Sequence, residues 1–253
     1  MTYNLSESQK LVEWEVTMAC NYTCEYCTNL DKTLRATRDK DTLDKFIQML
    51  GNVYPGIEIF VFGGEPFLHP EIGFIVERFN AHNIPFVIQT NLSKLSQEKM
   101  KDINDPMCLQ VSIHPSQVSV DELKILDKSV NIRVVDVMYI GKKSVEYYLK
   151  VKNWCENVFL TPVTDFGDGV SDTHLQEYNR IKKSKAWNKI INFENVKRLD
   201  GDRSDAWVNH SPRGKQCLYN NRYFLYGPDL RLYNCCHRTV HDGICNHDKC
   251  FLM

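Results

Sequence analysis

The first two thirds of the chain switch repeatedly between two periods of apolar and polar residues. Residues 11–18 alternate apolar and polar positions as a strand does, and residues 42–50 have the spacing of an amphipathic helix with Asp41 as its N-cap. The same patterns predict further strands at residues 57–62, 85–90, 107–113, 131–140 and 158–163, and further helices at residues 71–80, 95–103, 120–127 and 144–154. Strands and helices therefore alternate along this part of the chain.

Six such strand–helix rounds predict a parallel sheet with right-handed crossovers. A complete barrel of this kind has eight rounds. The predicted fold class is therefore α/β, a partial (β/α)6 barrel within residues 1–170. Functional groups of such folds lie at the carboxyl ends of the strands. A cysteine-containing segment follows the first predicted strand and a glycine-rich turn follows the second, so both are candidates for the site.

The last third of the chain has a different pattern. Residues 171–214 contain a polar helical segment and then many charged and turn residues, which predicts a linker helix and an irregular connection. Residues 215–253 are too few to form a core of their own, and segments that short usually need a metal or disulfides. Within them, residues 223–226 and 230–233 alternate across a Gly-Pro-Asp turn, which predicts a hairpin. We therefore predict a small cysteine-rich C-terminal extension.

Charge and hydropathy exclude several classes of partner. The chain has 31 Lys and Arg residues and 32 Asp and Glu residues, a net charge of −1, so no overall positive field implies binding of nucleic acid. Its apolar stretches are far shorter than the ~18–20 residues that span a bilayer. Glu7, Glu13 and Glu15 interrupt the amino-terminal segment, which therefore lacks the pattern of a secretory signal. We expect a cytoplasmic protein with no membrane contact.

The unusual feature of the composition is its ten cysteines. Cys20, Cys24 and Cys27 form a C-x3-C-x2-C pattern, whereas Cys108 and Cys155 stand in apolar surroundings and are expected to be inert core thiols. Three thiolates on one loop can converge on one metal centre, but a structural zinc site has four ligands. Three cysteines with no fourth nearby fit better an iron–sulfur cluster that keeps one iron open.

Two motifs resemble those of a known family, the radical S-adenosylmethionine (radical SAM) enzymes. Residues 20–27, CNYTCEYC, are similar to the family's cluster motif, including the aromatic residue before the last cysteine. Residues 63–66, GGEP, are similar to the segment that lies against the methionine amino group in that family. The resemblance covers residues 10–165 and implies a partial barrel with its site at the strand ends.

The resemblance implies roles for particular residues. Cys20, Cys24 and Cys27 would hold three irons of a [4Fe–4S] cluster, and S-adenosylmethionine would chelate the fourth iron. The residues expected to contact that cofactor are Tyr26 through its backbone, Gly63, Gly64, Glu65, Pro66, Asn91 and Ser112. Glycine allows close approach of a ligand, so a branched side chain at position 64 is expected to weaken cofactor binding and leave the cluster in place. For Asn91 and Ser112, the capping of turns is the alternative role.

The tail resembles the start of a SPASM or Twitch extension, a segment that binds an auxiliary iron–sulfur cluster. The residues behind this resemblance are Cys217, the Tyr-Gly-Pro-Asp turn at 226–229 and the Cys235-Cys236 pair. It implies a second [4Fe–4S] cluster held by Cys217, Cys235, Cys245 and Cys250, with Cys236 left over. The alternative is a structural zinc site on the same thiolates, with His237, His241 or His247 as further ligands.

As a radical SAM enzyme, the protein would reductively cleave S-adenosylmethionine to a 5′-deoxyadenosyl radical. That radical would abstract a hydrogen atom from a small-molecule or short-peptide substrate, with net oxidation. Polar residues at strand ends are the candidate catalytic residues that contact substrate: His114, Asp136 and Tyr139. The implied electron donor is a protein such as flavodoxin or ferredoxin.

Two other functions stay open. A peptide-modifying maturase is the first, although maturases often have an amino-terminal peptide-recognition domain and only about ten residues precede the first predicted strand. That observation favours a small molecule or a short peptide as substrate. The second is a zinc-stabilised binding module in which both groups of cysteines hold zinc and no reaction occurs.

Overall fold

The computed structural model describes residues 10–27, 38–120, 131–141, 143–162 and 223–233. Its strands are β1 (Leu11–Thr17), β2 (Ile59–Gly63), β3 (Phe86–Thr90), β4 (Cys108–Ile113), β5 (Asn131–Tyr139), β6 (Val158–Pro162), β7 (Tyr223–Tyr226) and β8 (Leu232–Tyr233). Its helices are α1 (Lys40–Val53), α2 (Ile72–Ala81), α3 (Lys94–Met100) and α4 (Lys143–Lys152), and a short 3-10 helix spans Pro66–Leu68. None of these helices is long and apolar enough to cross a membrane.

The strands form one sheet in the order β6-β5-β4-β3-β2-β1-β7-β8. Every neighbouring pair from β6 to β7 is parallel, and only the β7–β8 pair is antiparallel. The predicted α/β class and parallel sheet are therefore confirmed, and the order of β1 to β6 is consistent with a partial barrel. The helix predicted at residues 120–127 and the linker predicted at residues 171–214 lie outside the described residues.

The N-cap predicted for α1 was wrong by two residues. Asp39, not Asp41, has the extended backbone of a cap, and its Oδ1 accepts a hydrogen bond of 2.8 Å from the Thr42 backbone N–H. Asp41 lies in the first turn, where its charge favours the positive end of the helix dipole. The helix also extends to Val53, three residues beyond its predicted end, and its buried face includes Phe46, Ile47 and Leu50.

One face of the sheet packs against the helices and forms the apolar core. Trp14 of β1 is 1% exposed and meets the rings of Phe46 in α1 and Phe79 in α2 edge-on, at centroid distances of 5.0 and 6.2 Å. Strand register places Val61 and Ile88 beside Trp14 on this face. Burial of this continuous apolar layer is the main source of stability of the sheet.

The opposite face, which we call the inner face, has many polar side chains. Because side chains alternate along a strand, Glu13 and Glu15 point away from the helix-packed face of β1, and both are 7% exposed. Register and alternation place five more polar residues on this face: Gln89, Gln110, Ser112, Asp136 and Thr161. All seven residues of β1 are buried, because the strand has a neighbour on each side as well as the helices beneath it.

The predicted C-terminal hairpin is confirmed and lies at the edge of the main sheet. Its first strand, β7, pairs in parallel with β1, and β8 pairs with β7 over Leu232–Tyr233. Tyr226 packs edge-on against Phe46 at 5.1 Å, and its hydroxyl lies 3.0 Å from the Tyr54 hydroxyl. Residues 223–233 thus share their core with α1. The rest of the predicted extension, with all of its cysteines, lies outside the described residues.

If the hairpin belongs to the cooperative core, Tyr226→Ala should lower the free energy of unfolding of the whole chain by about 3 kcal/mol or more. Tyr226→Phe should cost only about 1 kcal/mol, because it removes one hydrogen bond and keeps the ring. Leu232→Ala is the matched control, since Leu232 is 43% exposed on the same hairpin. Urea unfolding measures all three values. Equal midpoints for Tyr226→Ala and Leu232→Ala would show that the hairpin is not part of the core.

The buried carboxyl of Glu13 generates a prediction about pH. Burial raises its pKa from 4.5 to about 7, against the opposing effect of the 2.7 Å hydrogen bond donated by the Tyr223 hydroxyl. The Glu13 carboxyl therefore loses its proton at a lower pH in the unfolded chain than in the folded chain. As a result, the free energy of unfolding falls as pH rises from about 4.5 to about 7. Glu13→Gln avoids that loss, so it should be more stable than wild type at pH 8, by up to about 3 kcal/mol, and nearly equal at pH 4. Urea unfolding at both pH values measures the difference, and equal differences at the two pH values would contradict it.

Candidate active site

The three cysteines of the first motif lie on one loop, residues 18–27, which we call the cysteine loop. It follows β1 directly at the carboxyl edge of the sheet. Cys20, Cys24 and Cys27 are free thiols of intermediate burial. The Cys27 N–H donates to the Cys24 carbonyl at 3.1 Å, and the Tyr22 N–H lies 3.4 Å from Cys20 Sγ. These local contacts wind the loop so that its thiols belong to one compact segment.

The donors of the cysteine loop fit an iron–sulfur cluster better than a single ion. In the described part of the chain, no three His, Cys, Asp or Glu side chains converge on one metal-ion position. A cluster uses a separate iron for each thiolate, so its ligands need not converge on a point. All three thiols are partly exposed, so a cluster held by them could be reached by a further ligand. The chemistry of the loop therefore suits a [4Fe–4S] group with one iron free for a further ligand.

The Gly63-Gly64 turn contacts the end of β1, which is the start of the cysteine loop. Gly63 has a φ of +134°, and a Cβ there would lie 2.1 Å from the Thr17 carbonyl oxygen. A Cβ on Gly64 would lie 2.2 Å from the Ala19 carbonyl oxygen and 2.4 Å from that of Met18. The close approach that requires glycine is therefore made to the chain's own backbone, whereas the sequence suggested only a ligand.

Glu65 is buried completely and fixes the turns that follow β2 and β3. Its Oε2 accepts a 2.7 Å hydrogen bond from the Asn91 backbone N–H, and its Oε1 accepts from the Thr90 hydroxyl at 2.9 Å and from the Phe67 backbone N–H at 3.2 Å. Burial raises the pKa of this carboxyl to about 7, although these hydrogen bonds oppose the shift. Pro66 is the first residue of the 3-10 helix, where its missing N–H costs nothing.

Asn91 joins the end of β3 to the cysteine loop. Its side-chain amide donates to Asn21 Oδ1 at 2.9 Å and lies 4.0 Å from Cys20 Sγ. Its own Oδ1 accepts from the Ser93 backbone N–H and the Ser96 hydroxyl, at 2.9 and 3.2 Å. The side chain is therefore a turn cap and a contact of the cysteine loop at the same time.

Tyr26 and His114 bring the end of β4 to the same loop. The Tyr26 hydroxyl lies 2.9 Å from His114 Nδ1, which is also 3.5 Å from Cys24 Sγ. Burial raises the pKa of Tyr26 well above its usual value, so the phenol stays protonated. Close by, Gln117 Oε1 accepts the Thr23 backbone N–H at 3.0 Å. His114 thus contacts the loop of the candidate cluster in addition to lying at a strand end.

Of the remaining predicted site residues, Ser112 and Asp136 lie on the inner face. Ser112 Oγ accepts a 2.8 Å hydrogen bond from Gln89, one strand away. Asp136 accepts from Gln110 at 2.9 Å and from Thr161 at 3.0 Å, and burial raises the pKa of its carboxyl. Tyr139 is the last residue of β5, and its side chain is not described. Cys217, Cys235, Cys245 and Cys250 lie outside the described residues.

Sequence reasoning missed the partners of these groups. Asn21, within the cysteine loop, accepts a hydrogen bond from Asn91, and Gln117 accepts one from Thr23 of the same loop. On the inner face, the donors to the polar side chains are Gln89, Gln110 and Thr161. The sequence could have indicated Gln89, Gln110 and Thr161, because each is a polar residue within a predicted strand. No signal was available for Gln117, since its contact with Thr23 joins residues 94 positions apart.

Comparisons with known proteins identify the family of this chain. The Radical SAM superfamily model matches residues 14–181. Among solved structures, SuiB from Streptococcus suis bound to S-adenosylmethionine is similar, with a TM-score of 0.55 at 14% identity over 90% of this chain and 60% of that one. SuiB bound to its precursor peptide SuiA gives 0.58 at 12% identity over 96% and 64%. A histidine-tagged form of anSMEcpe with bound AdoMet gives 0.55 at 17% identity over 90% and 74%.

At such low identities these structures establish only a shared fold, and this chain spans less than two thirds of the SuiB chain. No curated protein sequence matches this chain significantly. The family match is independent of the structural likeness and includes both the cysteine loop and the Gly63–Pro66 turn. Because that match covers well over half of the chain, the protein belongs to the radical SAM superfamily, whose members are enzymes that use a [4Fe–4S] cluster and S-adenosylmethionine.

Proposed function

We propose that this protein binds a [4Fe–4S] cluster through Cys20, Cys24 and Cys27, cleaves S-adenosylmethionine reductively and abstracts a hydrogen atom from a polar small molecule or short peptide. The observation that supports this most directly is the position of the three thiols. They lie on one loop at the carboxyl edge of a parallel sheet, against the ends of β2, β3 and β4. Parallel α/β folds bind their ligands at that edge.

When bound at this site, the cluster and S-adenosylmethionine would supply the one-electron reductive chemistry of the reaction. The protein's own residues supply binding and position. Gly63, Gly64 and Pro66 hold the turn beside the start of the cysteine loop, and Glu65 ties that turn to Asn91. Ser112, near the end of β4, is our candidate for contact with the cofactor's polar groups. The backbone of Tyr26 is the candidate for contact with adenine.

The inner face favours a polar substrate. Its described hydrogen bonds join Gln110 and Thr161 to Asp136, and Gln89 to Ser112. An apolar substrate that displaced one of these partners would leave a polar group unsatisfied, at a cost of about 1–3 kcal/mol for each such group. A substrate with hydroxyl, amide or amino groups can exchange these hydrogen bonds. Asp136 is therefore our first candidate for substrate contact, together with Tyr139 at the end of the same strand.

A peptide-modifying maturase is the second candidate function. It is favoured by the likeness of fold to SuiB, which has been solved bound to the precursor peptide SuiA. A peptide backbone also offers the amide groups that the inner face can bind. The first candidate and this one differ in substrate and share the cofactor chemistry, so the same cysteines are required by both.

We further propose a second [4Fe–4S] cluster held by Cys217, Cys235, Cys245 and Cys250. Cys217 precedes β7 by six residues and Cys235 follows β8 by two. Tyr223 begins β7 at the amino edge of the sheet, and Tyr233 pairs with Leu225 in the antiparallel β8, so the chain leaves the hairpin toward that same edge. The hairpin therefore favours a common location for these two thiolates. Such a cluster could accept the second electron of a net oxidation, and a flavodoxin or ferredoxin is the proposed donor of the first.

The contacts of Gly64 predict that a side chain at this position reduces cluster loading as well as cofactor binding, whereas the sequence predicted only weaker cofactor binding. Gly64→Ala should reduce both iron content and affinity for S-adenosylmethionine, because the new Cβ would displace the carbonyls of Met18 and Ala19, next to Cys20. Gly73→Ala is the control, since a Cβ there meets Ile103 at an ordinary 3.6 Å and helix interiors favour alanine. Iron analysis after anaerobic reconstitution and calorimetry with S-adenosylmethionine measure the two effects. Full iron content in Gly64→Ala would contradict the expectation.

Replacement of Cys20, Cys24 and Cys27 together by Ala should abolish release of 5′-deoxyadenosine under dithionite and leave the chain folded, because the three thiols are only partly buried and lie outside the main apolar cluster. The double replacement of Cys108 and Cys155 by Ala is the control and should keep the activity, since both lie away from the cysteine loop. Chromatography of the products and circular dichroism measure activity and fold. Release at the wild-type rate by the triple variant would refute the proposed function.

Iron analysis of the same proteins tests the second cluster. Two [4Fe–4S] clusters predict about eight irons per wild-type chain and about four in the triple variant. Four irons in wild type and none in the triple variant would eliminate the second cluster. Zinc together with those four irons would identify a structural zinc site in the tail, and the proposed electron acceptor would be lost with it.

A further inference from the structure

His114 contacts three residues of the cysteine loop. Its Nδ1 lies 2.9 Å from the Tyr26 hydroxyl and 3.5 Å from Cys24 Sγ. Its ring stacks on the Tyr26 ring, with planes 13° apart and centroids 5.8 Å apart, and meets the Tyr22 ring edge-on at 6.0 Å. The two aromatic rings restrict the imidazole on two sides. Packing therefore restricts the plane of the imidazole, and the contacts of Nδ1 with Tyr26 and Cys24 place that nitrogen toward the sulfur.

The sulfur contact specifies which nitrogen of His114 bears hydrogen when Cys24 holds an iron. A ligating cysteine is a thiolate, which accepts hydrogen bonds and has no hydrogen to donate. Nδ1 at 3.5 Å from such a sulfur is stabilising only if Nδ1 is the protonated nitrogen. The Tyr26 hydroxyl oxygen lies 2.9 Å from Nδ1, so the same Nδ1–H is shared between this oxygen and the Cys24 sulfur. His114 then donates to a ligand of the cluster.

We propose that His114 is a positioning residue of the cluster, which acts through Cys24 by donating an Nδ1–H hydrogen bond to its sulfur. This inference rests on the proposed function, because it requires an iron on Cys24. Hydrogen bonds to ligating sulfurs are among the factors that set the reduction potential of a cluster. The reduced cluster has the greater negative charge, so a donated hydrogen bond stabilises it and raises the potential.

Gln117 allows this effect to be separated from simple anchoring of the loop. It lies on the same segment after β4 and accepts the Thr23 backbone N–H at 3.0 Å. Its 2.9 Å backbone hydrogen bond to the His114 carbonyl belongs to the same turn. Gln117 therefore holds the loop through Thr23, whereas His114 holds it through Cys24 and Tyr26. Gln117→Ala removes an anchor without removing the proposed donor to sulfur.

The test compares the cluster of wild type with those of His114→Asn, His114→Gln, His114→Phe and Gln117→Ala after anaerobic reconstitution. An asparagine amide can present an N–H close to the position of Nδ1, whereas glutamine extends past it and phenylalanine has no donor. The midpoint potential is measured by a dithionite titration followed by electron paramagnetic resonance. The relevant signal is the one that changes on addition of S-adenosylmethionine and is absent from the triple cysteine variant.

We expect His114→Gln and His114→Phe to favour the oxidised cluster at least tenfold, a decrease of ~59 mV for one electron. His114→Asn and Gln117→Ala should stay close to wild type. Loading of iron by His114→Asn but by neither of the other two His114 variants would also support the proposal. Loaded His114→Gln and His114→Phe with the wild-type potential, or equal decreases in His114→Phe and Gln117→Ala, would overturn it. A wild-type chain that takes up no cluster would refute the proposed function, and the inference with it.

Discussion

Two backbone hydrogen bonds between the turn after β2 and the end of β1 determine where the cysteine loop can lie. The Gly64 N–H donates to the Thr17 carbonyl at 2.8 Å, and the Glu65 N–H donates to the Ala19 carbonyl at 2.7 Å. Both bonds require the two segments to approach more closely than a side chain on Gly63 or Gly64 would permit. Because Cys20 comes directly after Ala19, the first thiol is fixed by the backbone itself.

The carboxyl of Glu65 extends this constraint to the next strand. Its hydrogen bonds to Thr90 and Asn91 join the end of β3 to the same turn, and Asn91 in turn reaches Asn21 in the cysteine loop. These donors offset part of the cost of burying the carboxyl, which explains why such a group is found at the centre of the strand ends. The loop is thus held by β1, β2 and β3 through short polar contacts, with β4 on its other side.

Most of the fold and the chemistry-bearing motifs could be predicted from the sequence, because they depend on local patterns. Alternation of strands and helices predicted the parallel sheet, and the spacing of three cysteines predicted the loop. The roles of Gly64, Glu65 and His114 could not be predicted, because each depends on a neighbour that is remote in sequence. Glu65 and Asn91 are 26 positions apart, and Cys24 and His114 are 90 apart. The N-cap of α1 was missed because Asp39 and Asp41 are equally good caps by residue type.

The edge of the sheet beside β1 shows why the C-terminal hairpin matters for the cysteine loop. A parallel strand with an open edge would expose its unpaired backbone N–H and C=O groups, and β2 covers only one edge of β1. β7 covers that edge over Leu11 to Trp14, and the Tyr223 hydroxyl donates to Glu13 across 210 positions of sequence. The strand that leads into the cysteine loop is therefore completed only when residues 223–226 are in place. Both ends of the described chain therefore support the strand that precedes the candidate cluster site.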